Sequence, residues 1–219
     1  EVKREILHIE DLPDCEGRKG WPWDEDPEKN GAGAQDVEQE LPLVTIITPS
    51  YNQGMFLEKT IRSVLLQGYP NLRYMVIDGG STDNSVEIIK KYEKYLDYWV
   101  SDKDRGQSHA INKGLERAEG QICGWINSDD YLAPGALHRV AAMRSENPDA
   151  VAWVGAVTTE TPDGKPIYTH VPQNLGREEL ADWTNGEHLS QPGCFFSVEA
   201  IKKKGLLRED LQFGMDVEL

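Results

Sequence analysis

The 219-residue chain is short of cysteine, of positive charge and of long apolar runs, and each shortage removes a class of protein. Its three cysteines, Cys15, Cys123 and Cys194, are odd in number and far apart, which makes neither a disulfide framework nor a zinc-ligand spacing. A reducing cytoplasm is the simplest setting for them. Lys and Arg number 23 against 38 Asp and Glu, a formal net charge of -15. Nucleic acid is thereby excluded as a partner, because it would call for a basic patch. An acidic protein can still take a nucleotide through a metal ion. No stretch reaches the roughly 18 apolar residues of a membrane-spanning helix. The N-terminus lacks an apolar core followed by a small-residue cleavage site, so the expectation is a soluble, cytoplasmic chain.

What is present suits one sizeable domain with a leader. Residues 1–40 hold 13 Asp and Glu against 5 Lys and Arg, about half of the whole charge excess. Such a segment has little apolar surface to offset its conformational entropy, so most of it is expected to stay extended or mobile. The island Gly20-Trp21-Pro22-Trp23 is the exception. Its two indoles read as anchors that dock on the body or on a neighbouring subunit, rather than as a sugar-stacking platform. Gly31-Ala32-Gly33-Ala34 then reads as a flexible link to a domain over 41–219.

From residue 43 to 146 strand and helix signals alternate. Leu43–Thr48 is a continuous apolar, β-branched run, as expected of a strand buried on both faces. A helix is predicted over Met55–Gln67, with Gly68 and Pro70 at its end. Tyr74–Ile77 is a second strand, closed by Asp78-Gly79-Gly80-Ser81-Thr82-Asp83, with Asp83 capping a helix through Ile88, Ile89 and Tyr92. Tyr98-Trp99-Val100 is a third strand, and Ala110, Ile111, Leu115 and Ala118 mark one side of the next helix. Gly124–Tyr131 is an apolar run ending in two carboxylates, and Pro134 suits the first turn of a helix over Gly135–Arg144. This alternation predicts a twisted, largely parallel sheet covered by helices. Val151–Thr159 and Lys165–Val171 then read as antiparallel strands around Asp163-Gly164, and Gln173–His188 as a short helix and loop. Cys194–Ser197 is a buried strand and Val198–Lys204 a short basic helix.

In an open α/β sheet, ligands lie beyond the carboxyl ends of the strands, where strand order reverses. Four such ends carry informative residues here: Thr48–Asn52, Asp78-Gly79-Gly80, Asp102–Gln107 and Asn127–Asp130. Asp129 and Asp130 admit two readings, turn formers between a strand and a helix, or holders of a hard cation beside a phosphate-bearing ligand.

Four ordered motifs, Ile47–Gly54, Val76–Asp83, Asp104–Gly114 and Trp125–Asp130, together resemble a bacterial family 2 glycosyltransferase. Four motifs in order are far more specific than one. The resemblance covers about residues 43–219 and implies a GT-A fold, a Rossmann-like, mostly parallel sheet flanked by helices, with a small antiparallel acceptor-side portion. It divides the domain into a nucleotide-binding half, 41–132, and an acceptor half, 133–219, with an end that reads as truncated.

The resemblance also implies roles. Thr48, Pro49, Tyr51 and Asn52 would line the base and ribose pocket, and Asp78 would bind the nucleobase. Arg105, Gln107, Asn127 and Ser128 would complete the nucleotide site, with His109 on the following helix either packed or a phosphate contact. Asp129 and Asp130 would hold Mn²⁺ or Mg²⁺, and Asn127 stands where many relatives have a first Asp. Asp216 would be the catalytic base, and Gln191-Pro192-Gly193 the acceptor-side loop before it; His188 would border the acceptor. The implied activity is inverting transfer of a sugar from a UDP-sugar to a saccharide or lipid-linked saccharide in cell-envelope synthesis. Lys202-Lys203-Lys204 reads as a solvated helix face, which for a lipid-linked acceptor would also suit peripheral contact with the inner face of the membrane, and the leader would suit a homo-oligomer contact. Two other readings stay open, a non-catalytic nucleotide-sugar-binding module and a nucleotidyltransferase on a similar sheet. The second would need a basic phosphate loop after the first strand, and Thr48–Gly54 holds no Lys or Arg.

Overall fold

In the computed structural model the described residues are 4–26, 41–161, 163–173 and 189–211. Alternation along the first two strands builds the frame. In β1 (Val44–Ser50) every residue is buried, because both faces of the sheet are covered. Val44 and Ile46 face one apolar layer while Ile47 faces the other; in β2 (Leu72–Asp78), Tyr74 and Val76 share the first layer and Met75 and Ile77 the second. Helices α1 (Gly54–Leu65), α2 (Ser85–Tyr92) and α4 (Ala136–Glu146) cover the first layer. Helix α3 (Gln107–Arg117) and the short α5 (Val198–Lys204) cover the second.

With β3 (Tyr98–Ser101), β4 (Ile122–Trp125), β5 (Ala152–Val154) and β8 (Cys194–Ser197), the main sheet has the order β3-β2-β1-β4-β8-β5. The pairs β3·β2, β2·β1 and β1·β4 are parallel, whereas β8 runs antiparallel to both β4 and β5. Connectivity therefore proceeds outward from β1 in one direction to β3 and then jumps back across it to β4. The carboxyl ends of β1 and β4 form the switch point of the sheet. Two close approaches fix the geometry there. A Cβ on Gly114 would sit 2.6 Å from the Ile47 side chain, so α3 lies directly on β1. Gly120, at φ +86°, would place a Cβ 2.5 Å from the Leu43 carbonyl oxygen, which explains the glycine that turns the chain into β4.

Local chemistry corrects several expectations. Asn84 holds the N-cap position of helix α2 but makes no side-chain cap, and Asp83 serves the helix start from one residue earlier. Asp83 accepts from the Ser85 amide with one oxygen (3.0 Å) and from the Gly54 amide with the other (2.9 Å), tying together the starts of α2 and α1. Pro134 precedes rather than opens α4, because Gly135 takes the left-handed N-cap position at φ 70°. The stretch 151–159 is two strands. It breaks at Gly155, whose amide donates to the Gly193 carbonyl (2.8 Å), and β6 (Val157–Glu160) leaves the main sheet to pair with β7 (Pro166–His170). Gly164 turns that hairpin at φ 80°.

The leader departs most from expectation, since residues 4–26 lie folded on the body. Trp23 and Leu12 are buried, and the Trp21 indole donates to the Leu132 carbonyl (2.7 Å). The anchor is Arg62 of α1, fully buried, whose guanidinium donates to the carbonyls of Pro22 (3.1 Å), Pro13 (2.9 Å) and Trp23 (3.3 Å) and to the Tyr92 hydroxyl (3.1 Å). One turn earlier, Glu58 accepts from Arg18 (2.6 Å), Lys91 (2.8 Å) and Tyr92 (2.8 Å). Arg18 also stacks 3.7 Å above the Trp23 ring. The two indoles thus act as anchors on the chain's own body. The link over 31–34 lies outside the described residues, as do residues 174–188 of the helix and loop expected over Gln173–His188.

Candidate functional site

The loops after β1 and β2 are knitted into one wall. Asn52 sits in the left-handed region at φ 52°, a conformation that Asn tolerates better than most side chains. Its amide donates to the Ser81 hydroxyl (2.8 Å) and its side-chain oxygen accepts from the Thr82 amide (2.8 Å). Asp78, fully buried at the end of β2, accepts from the amides of Gly80 (3.1 Å) and Ser81 (2.9 Å) and from the hydroxyls of Ser81 and Ser101. The Gly79 amide returns to the Ser50 carbonyl (2.8 Å). A Cβ on Gly79 would lie 2.6 Å from the Asp104 carboxylate, so the third loop closes on the second without space for a side chain.

A crevice of about 580 Å³ opens at the switch point. Pro49, Ser50, Tyr51 and Gln53 form one side; Gly79, Lys103 and Asp104 form the next; Gly106, Gln107 and Ala110 bring the start of α3; and Asn127, Ser128 and Asp129 close it from the end of β4. The acidic turn has its own lattice of bonds. The Gln107 amide donates to Asn127 Oδ1 (2.6 Å), and Asn127 Nδ2 donates to Asp130 (3.2 Å) and to Gln191 Oε1 (3.2 Å). Gln191 in turn donates to the Trp125 carbonyl (2.8 Å). Burial pushes the Asp130 carboxyl up to about 6, the neighbouring charge of Asp129 adds to that rise, and the Asn127 amide opposes it.

Of the residues expected in the site, the crevice brings together Pro49, Tyr51, Gln107, Asn127, Ser128 and Asp129. Asp130 lies one step behind Asn127. Thr48 is buried beneath the crevice with its hydroxyl 2.9 Å from that of Tyr74. Asn52 and Asp78 organise the loops, and the Asp78 carboxylate already receives four hydrogen bonds from the chain. Arg105 is turned to Glu209, to which its Nε donates (2.8 Å). His109 Nδ1 accepts from the Arg105 amide (3.2 Å), the satisfied alternative of its two readings. Lys202 donates to the Ala118 carbonyl (2.8 Å), while Lys203 and Lys204 are exposed. Asp216 and His188 lie outside the described residues.

Four lining residues with polar side chains were absent from the expected set, Ser50, Gln53, Lys103 and Asp104, as were Gly79, Gly106 and Ala110. Ser50 Oγ and Gln53 Oε1 are buried atoms without a hydrogen-bond partner among the described residues. Native interiors rarely leave such atoms unpaired, and of the seven buried side-chain atoms without a partner among the described residues these two face the crevice. Both belong to the first motif, so the signal was present in sequence as position, not as chemistry.

The charge balance indicates what the crevice can hold. Asp104 and Asp129 face it with Lys103 as the cation among the lining residues, so a diphosphate would meet net repulsion unless a cation intervened. Mg²⁺ and Mn²⁺ suit one or two protein carboxylates completed by phosphate oxygens and water. Asp129 and Asp130 fit that pattern, since a divalent ion would relieve both the burial of Asp130 and the repulsion between the pair. No cluster of three His, Cys, Asp or Glu is found among the described residues.

An open, mostly parallel sheet with its crevice at the switch point and an acidic turn at the end of the fourth strand defines an α/β fold of the GT-A kind. The family model of glycosyl transferase family 2 matches residues 45–203. The chain belongs to that family. It is 33% identical over 139 residues to a putative teichuronic acid biosynthesis glycosyltransferase, TuaG, of Bacillus subtilis, covering 61% of this chain and 55% of that protein. An uncharacterized glycosyltransferase of Rickettsia typhi is 27% identical over 183 residues, covering 81% and 57%. The fold is also that of S. aureus TarS 1–349 in complex with UDP, with a TM-score of 0.63 at 23% identity over 80% of this chain and 52% of that one. A mannosyltransferase from Pyrobaculum calidifontis in complex with GDP-Man and Mn²⁺ gives 0.57 at 22% identity, over 84% and 57%. The chain spans about half the length of these proteins. No helix among the described residues is long and apolar enough to cross a membrane.

Proposed function

We propose that the chain is the donor-binding and catalytic region of an inverting glycosyltransferase, which moves a sugar from a nucleotide diphosphate, most simply UDP, to a saccharide or lipid-linked saccharide of the cell envelope. The observation that carries this reading is the crevice itself: three loop ends of a parallel sheet and the acidic turn of β4 converge on one cavity large enough for a nucleotide sugar. TuaG, whose name assigns it to teichuronic acid biosynthesis, supports the envelope setting. TarS, solved with UDP, supports the nucleotide.

In this reading Pro49 and Tyr51 flank the base and ribose, with Thr48, Asn52 and Asp78 shaping that pocket from behind. Ser50 and Gln53 offer the two unpaired polar atoms, Lys103 and Gln107 approach the diphosphate, and Arg105 would join them by leaving Glu209. Asp129 and Asp130 hold Mn²⁺ or Mg²⁺, positioned by Asn127 and Ser128. When bound, such a cation offsets the charge developing on the departing diphosphate. Asp216 takes the proton from an acceptor hydroxyl as its oxygen attacks the anomeric carbon on the face opposite the diphosphate, which inverts the configuration. A lipid-linked acceptor would bring the chain to the inner face of the membrane, where Lys203 and Lys204 could meet anionic headgroups.

The test is turnover of a panel of nucleotide sugars with Mn²⁺, by the natural chain and by Asp216→Asn. Turnover of a UDP-sugar that falls by about two to four orders of magnitude in the variant is expected for loss of a general base. Equal turnover in both would remove Asp216 from its role.

A further inference from the structure

Helix α1 packs against the sheet, yet part of its buried face is polar. Thr60, Ser63 and Gln67 follow one another at spacings of three and four, on one face of the helical turn and its extension, and each is 2% exposed or less. That face looks onto residues 128–137, the end of the loop that carries the chain from β4 to α4 and the first turn of α4. The loop runs outside any ladder, so its backbone groups must find partners elsewhere. Ser63 Oγ accepts from the Leu132 amide (3.1 Å). Gln67 donates to the Ala133 carbonyl (3.0 Å) and accepts from the Leu137 amide (3.2 Å). These two residues satisfy the far part of the loop.

Thr60 does something different. Its Oγ1 lies 2.9 Å from the Ser128 carbonyl oxygen and 2.6 Å from that of Asp130, the peptide carbonyls that stand before and after the Asp129–Asp130 pair. A hydroxyl has one proton to donate, so a single O–H is shared between two peptide groups that bracket the two acids. The shared bond holds both carbonyls toward α1 and leaves the Asp129 side chain to face the crevice. Without it, two carbonyls would lose their partner beside a carboxylate pair already under mutual repulsion, and the turn could relax by rotating the peptides that set the Asp129 direction.

We propose that Thr60 is a positioning residue for the carboxylate pair: its hydroxyl, buried behind the turn, presets Asp129 and Asp130 for a divalent cation. The proposal rests on the reading of those two acids as cation ligands. Groups that orient ligands from behind are worth about 10- to 100-fold in metal affinity, and Thr60 acts on the backbone of the ligands instead of on their side chains.

The experiment is calorimetric titration of the full chain with UDP, once with Mn²⁺ and once with EDTA, for the natural chain and for Thr60→Val, Thr60→Ser and Gln67→Met. Thr60→Val is isosteric and lacks the donor; it is expected to weaken Mn²⁺-dependent UDP binding by about tenfold or more and to leave binding in EDTA unchanged. Thr60→Ser keeps the donor and is expected to restore the Mn²⁺ response. Gln67→Met disturbs the same loop farther from Asp129 and is expected to lower the melting temperature while keeping the Mn²⁺ response. The proposal is overturned by a Thr60→Val chain that binds as tightly as the natural one with Mn²⁺, or by a Gln67→Met chain that loses as much. Should Thr60→Val not fold, Thr60→Ala gives the same reading. A natural chain with equal UDP affinity in Mn²⁺ and EDTA would instead remove the cation reading itself, and this inference with it.

Discussion

Two polar clusters lie on either side of α1, and they are built on opposite principles. Around Arg62 and Glu58, each buried charge meets partners from the chain: three carbonyls and a phenol for the guanidinium, two cations and a phenol for the carboxylate. Around Asp129, like charges sit together, a carboxyl titrates near 6, and two buried oxygens lack partners among the described residues. The first cluster is closed by the protein alone, as a buried charge must be. The second has the chemistry of a site completed from outside. Ionisable residues are therefore no guide to function by number; what separates a clasp from a binding site is whether the chain satisfies them.

Substitutions at three positions bear on that contrast. Asp129→Ala should have the largest effect, weakening Mn²⁺-dependent UDP binding by about two orders of magnitude without lowering the melting temperature of the metal-free chain, since it removes a repulsion. Unaltered binding would place the cation elsewhere. Arg62→Ala should cost about 3 kcal/mol in urea unfolding, because it leaves three carbonyls without their charged donor. The leader should become sensitive to protease, and Arg62→Lys should not rescue it because an ammonium lacks the planar fork. A leader that stays protected would break the view of Arg62 as its anchor.

The smallest effect is a pH dependence. Burial raises the Glu58 pKa, but hydrogen bonds from Lys91, Arg18 and Tyr92 outweigh it, and the folded carboxyl titrates below its ordinary value of 4.5. A carboxyl depressed in this way contributes stability that is fully present above its unfolded pKa and is lost as the pH falls through the folded one. Stability of the natural chain should thus fall more steeply than that of Glu58→Gln below about pH 4.5. Parallel acid limbs in melts of the two chains would show that Glu58 does not carry this linkage.

The β–α frame was readable because each strand near the crevice is a short, largely apolar run followed by a helix at clear spacing. Site position was readable for the same reason, since a parallel sheet puts strand ends together and the motifs stand at those ends. What the sequence hid was satisfaction. Arg62 and Glu58 look like ordinary charges on an amphipathic helix until the leader is laid over them, so an acidic, Gly- and Pro-containing segment read as mostly unattached. Thr60, Ser63 and Gln67 look like neutral helix fillers until the loop they serve is in place. The break at Gly155 depends on the Gly193 carbonyl nearly forty residues later, a contact outside the reach of any local pattern.

The position of β8 carries a consequence of another kind. This strand comes late in the chain and inserts between β4 and β5, which were made long before it. Until Cys194–Ser197 arrives, the outer edge of β4 has no neighbour, and Gly124, over which the Phe195 ring comes to lie, is uncovered. Closing the sheet therefore waits on a long-range pairing, the kind of step that slows folding and leaves a strand edge open to other chains. The order of synthesis thus makes the half of the sheet that carries the acidic turn the last to be sealed.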